Sequence, residues 1–226
     1  HWHYDHTFGM HAVSGVSIAH EKTNEFLKKQ QEEAEDSGYI EALKREDIHF
    51  KREYADLDRL DIVLSDLEFS DRMALDLGGM TARIFHTEAP HSEDTVCIYI
   101  PEEKVLFLGD STSEDFFNDG YMDRDKLASL IRTIRSTDCK YCILSHCEPL
   151  GKEDLLCYLE AGAFSSGAGN KRTFYCKKNA NPVKCLITSE SLAFSEHLCY
   201  TGLGLQQFTV IYCKSHCHPM KKVCFL

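Results

Sequence analysis

His1-Trp2-His3-Tyr4-Asp5-His6 opens the chain, and it places four side chains of metal-ligand type within six residues. His1 and His3 are two apart, so in an extended segment they point the same way. Asp5 and His6 follow where the chain must turn. Such a run can serve two metals at once. Imidazole nitrogen and carboxylate oxygen suit zinc, with bonds of about 2.0–2.2 Å. Two metals about 3.5–4 Å apart can share one hydroxide. Four residues cannot close two coordination spheres, so further ligands are expected downstream.

Working outward, three candidates stand at strand ends and beside turns. His91 precedes a strand expected over 95–100. Asp110 follows the strand 105–108 in Leu108-Gly109-Asp110, and His146 ends the strand 141–145 in Leu144-Ser145-His146. Ligands at the ends of neighbouring strands converge on one sheet edge, where α/β sites form. The remaining texture agrees with a layered α/β fold. Residues 1–11 read as a His-rich turn segment, Ser17 to Asp36 as one helix, and Tyr39 to Glu46 as a second. Residues 47–61 read as acidic and irregular. Met73–Leu77 and Met80–Phe85 read as strands around the Gly78-Gly79 turn. Asp123 is the expected N-cap of a helix over 124–136, whose apolar face is Leu127, Leu130, Ile131 and Ile134. Another helix is expected to begin near Lys152.

The 226 residues suffice for one ordinary domain with some left over. Apolar runs such as Val105 to Leu108 are too short to span a bilayer, which argues against a membrane partner. The first residues carry no basic start and no apolar stretch of the secretory kind, so a cytoplasmic, reducing location is expected. A net charge of −11 argues against nucleic acid, whose phosphates demand a basic face. The charge is uneven: residues 1–160 hold 17 basic and 34 acidic side chains, and residues 161–226 hold 8 and 2. Cysteine usage shifts too, with five of the eleven in the first part and six in the last. The reading is therefore a domain over 1–160 and an atypical, Cys-rich tail over 161–226 that is not part of it.

In order and in character, His1, His3, Asp5 and His6, then His91, then Gly109-Asp110, then His146 resemble the metallo-β-lactamase superfamily over about residues 1–160. The resemblance implies an αββα sandwich. It implies that His1, His3 and His91 hold one metal, that Asp5, His6 and His146 hold the other, and that Asp110 bridges them. A carboxylate at the bridging position resembles the glyoxalase-II-like branch and departs from true β-lactamases. The implied cofactors are two zinc ions per chain, with iron or manganese also compatible with the ligands. The implied activity is binuclear zinc-dependent hydrolysis of a small thioester, lactone, ester or amide by a metal-bridging hydroxide, with Asp5 orienting that hydroxide and shuttling its proton. Alternatives are a phosphodiesterase or nuclease of the same fold, or a metal-binding fragment without turnover. An oxidoreductase-type di-iron member typically has Glu where His3 stands. Family members carry strands ahead of the first motif, so the domain is expected to lack its usual N-terminal strands and to be marginally stable. The substrate and the oligomeric state are left open.

Loop residues after Asp110 are the candidates for contact with a small-molecule substrate: Phe117, Asn118 and Tyr121, together with Phe116, packing being the competing role. His20, His49, His86 and His197 read as ordinary surface histidines, and His11 as structural. Cys97 reads as a buried strand thiol. Cys139-Lys140-Tyr141-Cys142 reads as a chance C-x-x-C, because redox pairs normally open a helix after a strand, whereas this pair precedes one. Cys213, Cys217, His218 and Cys224 read as a chance cluster.

Overall fold

The stretch from Ser17 to Asp36, expected as one helix, divides into β1 (Val16–His20) and α2 (Glu21–Glu33). The Lys, Glu and Gln content of α2 dominates any window over this region, but Ile18, Ala19 and His20 before it are buried. His20 makes the break. Its Nε2 donates to the Ser70 carbonyl at 2.8 Å, which leaves Nδ1 to accept from the Lys22 amide at 3.2 Å as a helix N-cap. His20 is only 1% exposed, which corrects its reading as a surface histidine. This computed structural model describes residues 1–164, 192–201, 204–213 and 222–225, with side chains described through residue 161.

The chain divides into two compact units. The first comprises residues 1–70 and 186–226, and the second residues 71–185. In the first, the motif segment forms a one-turn helix α1 (Tyr4–Thr7), followed later by α3 (Tyr39–Glu46) and α4 (Ile48–Glu53). The expected irregularity of 47–61 is thus corrected over its first part. Asp47 caps α4 by accepting from the His49 and Phe50 amides at 2.7 and 3.1 Å. Phe8, Leu27, Ile40, Phe50, Tyr54, Leu60 and Ile62 form the core beneath these helices. The sheet of this unit runs β2-β1-β11-β10-β9, with β2 Leu67–Phe69, β9 Leu192–Thr201, β10 Gly204–Cys213 and β11 Lys222–Phe225. β1 lies parallel to both neighbours, and Ile18 stands opposite Leu67 on one side and Phe225 on the other. The side chains of Cys176, Cys185, His197, Cys199, Cys213, Cys217, His218 and Cys224 lie outside the described residues.

In the second unit the order is β3-β4-β5-β6-β7-β8, with β3 Arg72–Asp76, β4 Thr81–His86, β5 Val96–Ile100, β6 Val105–Gly109, β7 Tyr141–Leu144 and β8 Leu150–Gly151. The expected β3–β4 hairpin is present. Gly78 and Gly79 take φ of 81° and 109°, a region L side chains avoid, and the Leu77 amide donates to the Met80 carbonyl across the turn. β6 and β7 run parallel, joined through α5 (Arg124–Ser136). Asp123 caps α5 as expected, accepting from the Asp125 and Lys126 amides. Leu127, Leu130, Ile131 and Ile134 pack with Leu106 and Leu108 of β6, Cys142 and Leu144 of β7, and Leu155, Leu156 and Leu159 of α6 (Lys152–Phe164). Each such buried Leu or Ile contributes roughly 1.5–3 kcal/mol. Cys97 is buried in β5, as expected. Among the described residues, no helix is long and apolar enough to cross a membrane.

Candidate metal centre

In the first unit, ligand-type and anchoring residues alternate along the opening motif. Trp2 stacks on Phe26 of α2 with ring centroids 5.6 Å apart. Tyr4 meets Phe50 of α4 edge-on at 5.0 Å, and its hydroxyl donates to Asp47 Oδ2 at 3.0 Å. Burial, followed by the negative charge of Asp47, holds the Tyr4 hydroxyl well above its ordinary pKa. The turn itself closes through the His6 and Thr7 amides on the His3 carbonyl, and Thr7 Oγ1 donates to the carbonyls of Trp2 and His3. His3 is extended, at φ −55° and ψ 149°, and the helical turn starts immediately after it. The imidazoles therefore gather. His1 lies with its ring centroid 4.4 Å from His3 and 4.2 Å from His6, and His6 Nε2 stands 3.5 Å from Asp5 Oδ2. His1 and His3 are buried, and Asp5 and His6 are half-buried. His11 has the structural role expected of it, bonding the Phe8 carbonyl through Nδ1.

In the second unit, His91, Asp110 and His146 come together from three separate loops. Asp110 leaves the carboxyl end of β6 and His146 follows the end of β7, the adjacent parallel strand. Asp110 Oδ2 stands 3.3 Å from His146 Nε2 and 3.8 Å from His91 Nε2. Gly109 at φ 56° turns the chain out of β6, and the Ser145 amide donates to the Gly109 carbonyl. His146 itself takes φ 62°, a strained conformation for a residue with a Cβ. His91 is 1% exposed on the loop between β4 and β5. That loop is pinned by Thr95 Oγ1 on the Ser92 carbonyl, Ser92 Oγ on Asp94, and His86 Nε2 on the Glu93 carbonyl. His86 is thus a loop brace, more than the plain surface residue expected of it.

The tautomer of His91 follows from its partner. A carbonyl only accepts, so Nδ1, 2.8 Å from the Glu114 carbonyl, carries the proton. In the neutral ring the lone pair then lies on Nε2, which stands 3.8 Å from Asp110 Oδ2. This is the orientation by which proteins prepare an imidazole for a metal. Sequence reading missed Glu114, because a backbone acceptor leaves no trace in residue type.

The loop after Asp110 is held by Asp115, whose carbonyl accepts from the Asn118 and Gly120 amides and whose carboxylate accepts from the Phe117 amide. Phe117, Asn118 and Tyr121 are exposed on it. The ring that meets His91 is that of Phe116, edge-on at 5.4 Å.

The donor set in each unit is imidazole and carboxylate, the chemistry that divalent metals require. The family model described as metallo-beta-lactamase superfamily matches residues 1–146. No curated protein matches the chain. Among solved structures, DIM-1 metallo-beta-lactamase exposed to ceftazidime is 19% identical, with 74% of this chain and 66% of that chain covered and a TM-score of 0.47. An archaeal superfamily protein from Sulfolobus tokodaii is 16% identical, covering 74% and 64%, with a TM-score of 0.47. A double mutant of the sec-alkyl sulfatase PisA1 is 14% identical, covering 72% and 31%, with a TM-score of 0.52. The chain thus spans less than two thirds to two thirds of the length of the first two and about a third of the last. With the family match covering well over half of its residues, the chain belongs to the metallo-beta-lactamase superfamily.

Proposed function

We propose that this chain is a metal-dependent hydrolase. His1, His3 and His91 would hold one divalent ion, and Asp5, His6, Asp110 and His146 the other. The observation that carries this reading is the Asp110 carboxylate, within 4 Å of imidazole nitrogens from two different loops, beside a His91 whose tautomer leaves Nε2 able to ligate. Zinc is the favoured metal for such donors. Bound there, the metals would supply Lewis acidity and a water of lowered pKa.

The chain's own residues do the rest. Asp5, half-buried and 3.5 Å from His6, would accept the proton of an attacking water. Glu114 fixes the His91 ring, so that this ligand pays little ordering entropy when a metal arrives. His146, at φ 62°, would offer Nε2 to the second ion, 3.3 Å from Asp110 Oδ2. Phe116, Phe117, Asn118 and Tyr121 offer an aromatic, exposed rim for the substrate, which we take to be a small thioester, lactone, ester or amide. The acidic balance of residues 1–160 weighs against a polyanionic substrate.

The test is hydrolysis of a thioester, lactone, ester and amide panel, with a phosphodiester as the competing class. Turnover of a carbonyl substrate that chelator abolishes and zinc restores is the expected result. Turnover confined to the phosphodiester would move the chain to the phosphodiesterase reading, and chelator-resistant turnover would end the metal reading.

A further inference from the structure

The loop between β6 and α5 carries three large rings in solvent. Phe116 and Phe117 are each 61% exposed and Tyr121 is 58% exposed. Scattered surface rings are ordinary, but three within six residues form an apolar patch of the kind that marks a binding surface. The loop is built to hold them. Asp115 and Tyr121 pair as an antiparallel bridge, with the Asp115 amide donating to the Tyr121 carbonyl at 3.0 Å. The Gly120 amide returns to the Asp115 carbonyl at 2.9 Å, and the Tyr121 amide donates to the Asn118 carbonyl at 2.9 Å. Asp119 and Gly120, at φ 53° and 70°, turn the chain back between these bonds. One ring fixes where the patch lies. Phe116 meets His91 edge-on with centroids 5.4 Å apart, and His91 Nε2 stands 3.8 Å from Asp110 Oδ2. The apolar surface therefore begins one ring away from a candidate ligand, within the second unit. Its charge is one-sided. From Val105 through Asp123 the chain has no Lys or Arg, while Glu114, Asp115, Asp119 and Asp123 accompany the rings.

We infer that Phe116, Phe117 and Tyr121 form the acyl subsite of this chain, and that its substrate is a carbonyl compound with an uncharged, apolar acyl chain, such as a neutral ester or lactone. The inference rests on the hydrolase reading and narrows it. Burial of methylenes against the rings supplies binding energy in proportion to chain length. The carboxylates around the rings repel a chain that ends in a negative charge, over a distance of about 8–10 Å at ordinary ionic strength. A thioester whose carrier bears phosphates or carboxylates is disfavoured for the same reason, which sets this loop against the substrates that a glyoxalase-II-like ligand set suggests. Phe116 acts as a specificity residue at the junction: one edge lies against His91 and the rest of the ring is open to the chain.

The experiment gives the zinc-loaded full chain three p-nitrophenyl esters: the butanoate, the octanoate, and the half-ester of octanedioic acid, which ends in a carboxylate. The octanoate should exceed the butanoate in kcat/KM by about tenfold, the gain expected when an open rim buries part of the added chain. The half-ester should fall back to the butanoate level and recover as salt screens the repulsion. In Phe116→Ala and Phe117→Ala the octanoate-to-butanoate ratio should drop by about fivefold or more, and Phe116→Leu should keep part of it. A ratio separates the subsite from any change in overall rate. A second readout needs no turnover: in the presence of chelator, octanamide should displace the neutral fluorescent probe N-phenyl-1-naphthylamine from the wild type, and do so more weakly from Phe116→Ala. That displacement in a chain that hydrolyses nothing would leave the subsite standing and remove the hydrolase reading. A wild-type ratio near one, a ratio unchanged in both alanine variants, or a half-ester accepted as well as the octanoate overturns the proposal, as does the absence of both turnover and displacement.

Discussion

The two units gather their candidate ligands by different means. In the first, His1, His3, Asp5 and His6 are brought together by a single turn of chain, and the residues between them, Trp2 and Tyr4, tie that turn to α2 and α4. In the second, His91, Asp110 and His146 are far apart in sequence and meet only because β6 and β7 are parallel neighbours and the β4–β5 loop folds beside them. The first group is local and depends on a helix turn and aromatic anchors. The second is topological and depends on a packed sheet. Damage to the core should therefore reach the second group more directly than the first.

The largest expected effect is at Asp110. Replacing it with Ala removes the carboxylate that faces both imidazoles, and metal affinity should fall by at least about 100-fold, as read by competitive chelator titration. A fall of only a few-fold would make Asp110 a turn residue. The next largest tests the dependence on the sheet. Leu108→Ala, two residues before Asp110 and fully buried, should lower unfolding free energy by about 2–5 kcal/mol in denaturant titration. The same change should weaken metal binding, whereas Leu27→Ala in the first unit's core should cost similar stability. Equal losses of metal affinity in the two variants would erase the distinction drawn here.

A smaller effect runs the other way. His146→Gly relieves the backbone at φ 62°, so the metal-free protein should gain roughly 1 kcal/mol while losing a ligand. A variant that loses both stability and metal would show that no strain is held there. The smallest effect concerns the first unit's sheet. Asp66 accepts from the Ser17 amide and hydroxyl, both at 2.8 Å, and these bonds hold its carboxyl below the usual carboxylate range. A depressed folded value means the contribution is present above the unfolded pKa of about 3.9 and fades as pH falls through the folded one. The melting difference between wild type and Asp66→Asn should thus shrink as the pH is lowered below about 4. A difference that widens in acid would contradict the assignment.

What the sequence showed follows the same division. The opening motif was legible because its spacing is its structure. The β3–β4 hairpin was legible from Gly78-Gly79, and α5 from Asp123 and its i, i+3, i+4, i+7 face. β1 was not, because five residues of strand abut thirteen of strongly helix-forming composition, and the cap that separates them is an imidazole, an uncommon choice. α4 was overlooked although Asp47 is a usable N-cap residue. His91, Asp110 and His146 were recognisable as strand-end residues in family order, but the Glu114 carbonyl and the Phe116 ring, which set the state and surroundings of His91, depend on how the 111–122 loop folds back. Backbone partners of this kind are invisible to residue type.

The central claim of the proposed function is that these residues hold metal, and elemental analysis of metal per chain tests it most directly. Protein purified without chelator and reloaded with zinc should carry about two ions, and the Asp110→Ala, His3→Ala and His91→Ala variants should each carry fewer. A wild-type chain that retains no zinc, or an Asp110→Ala chain that keeps the full complement, would contradict it.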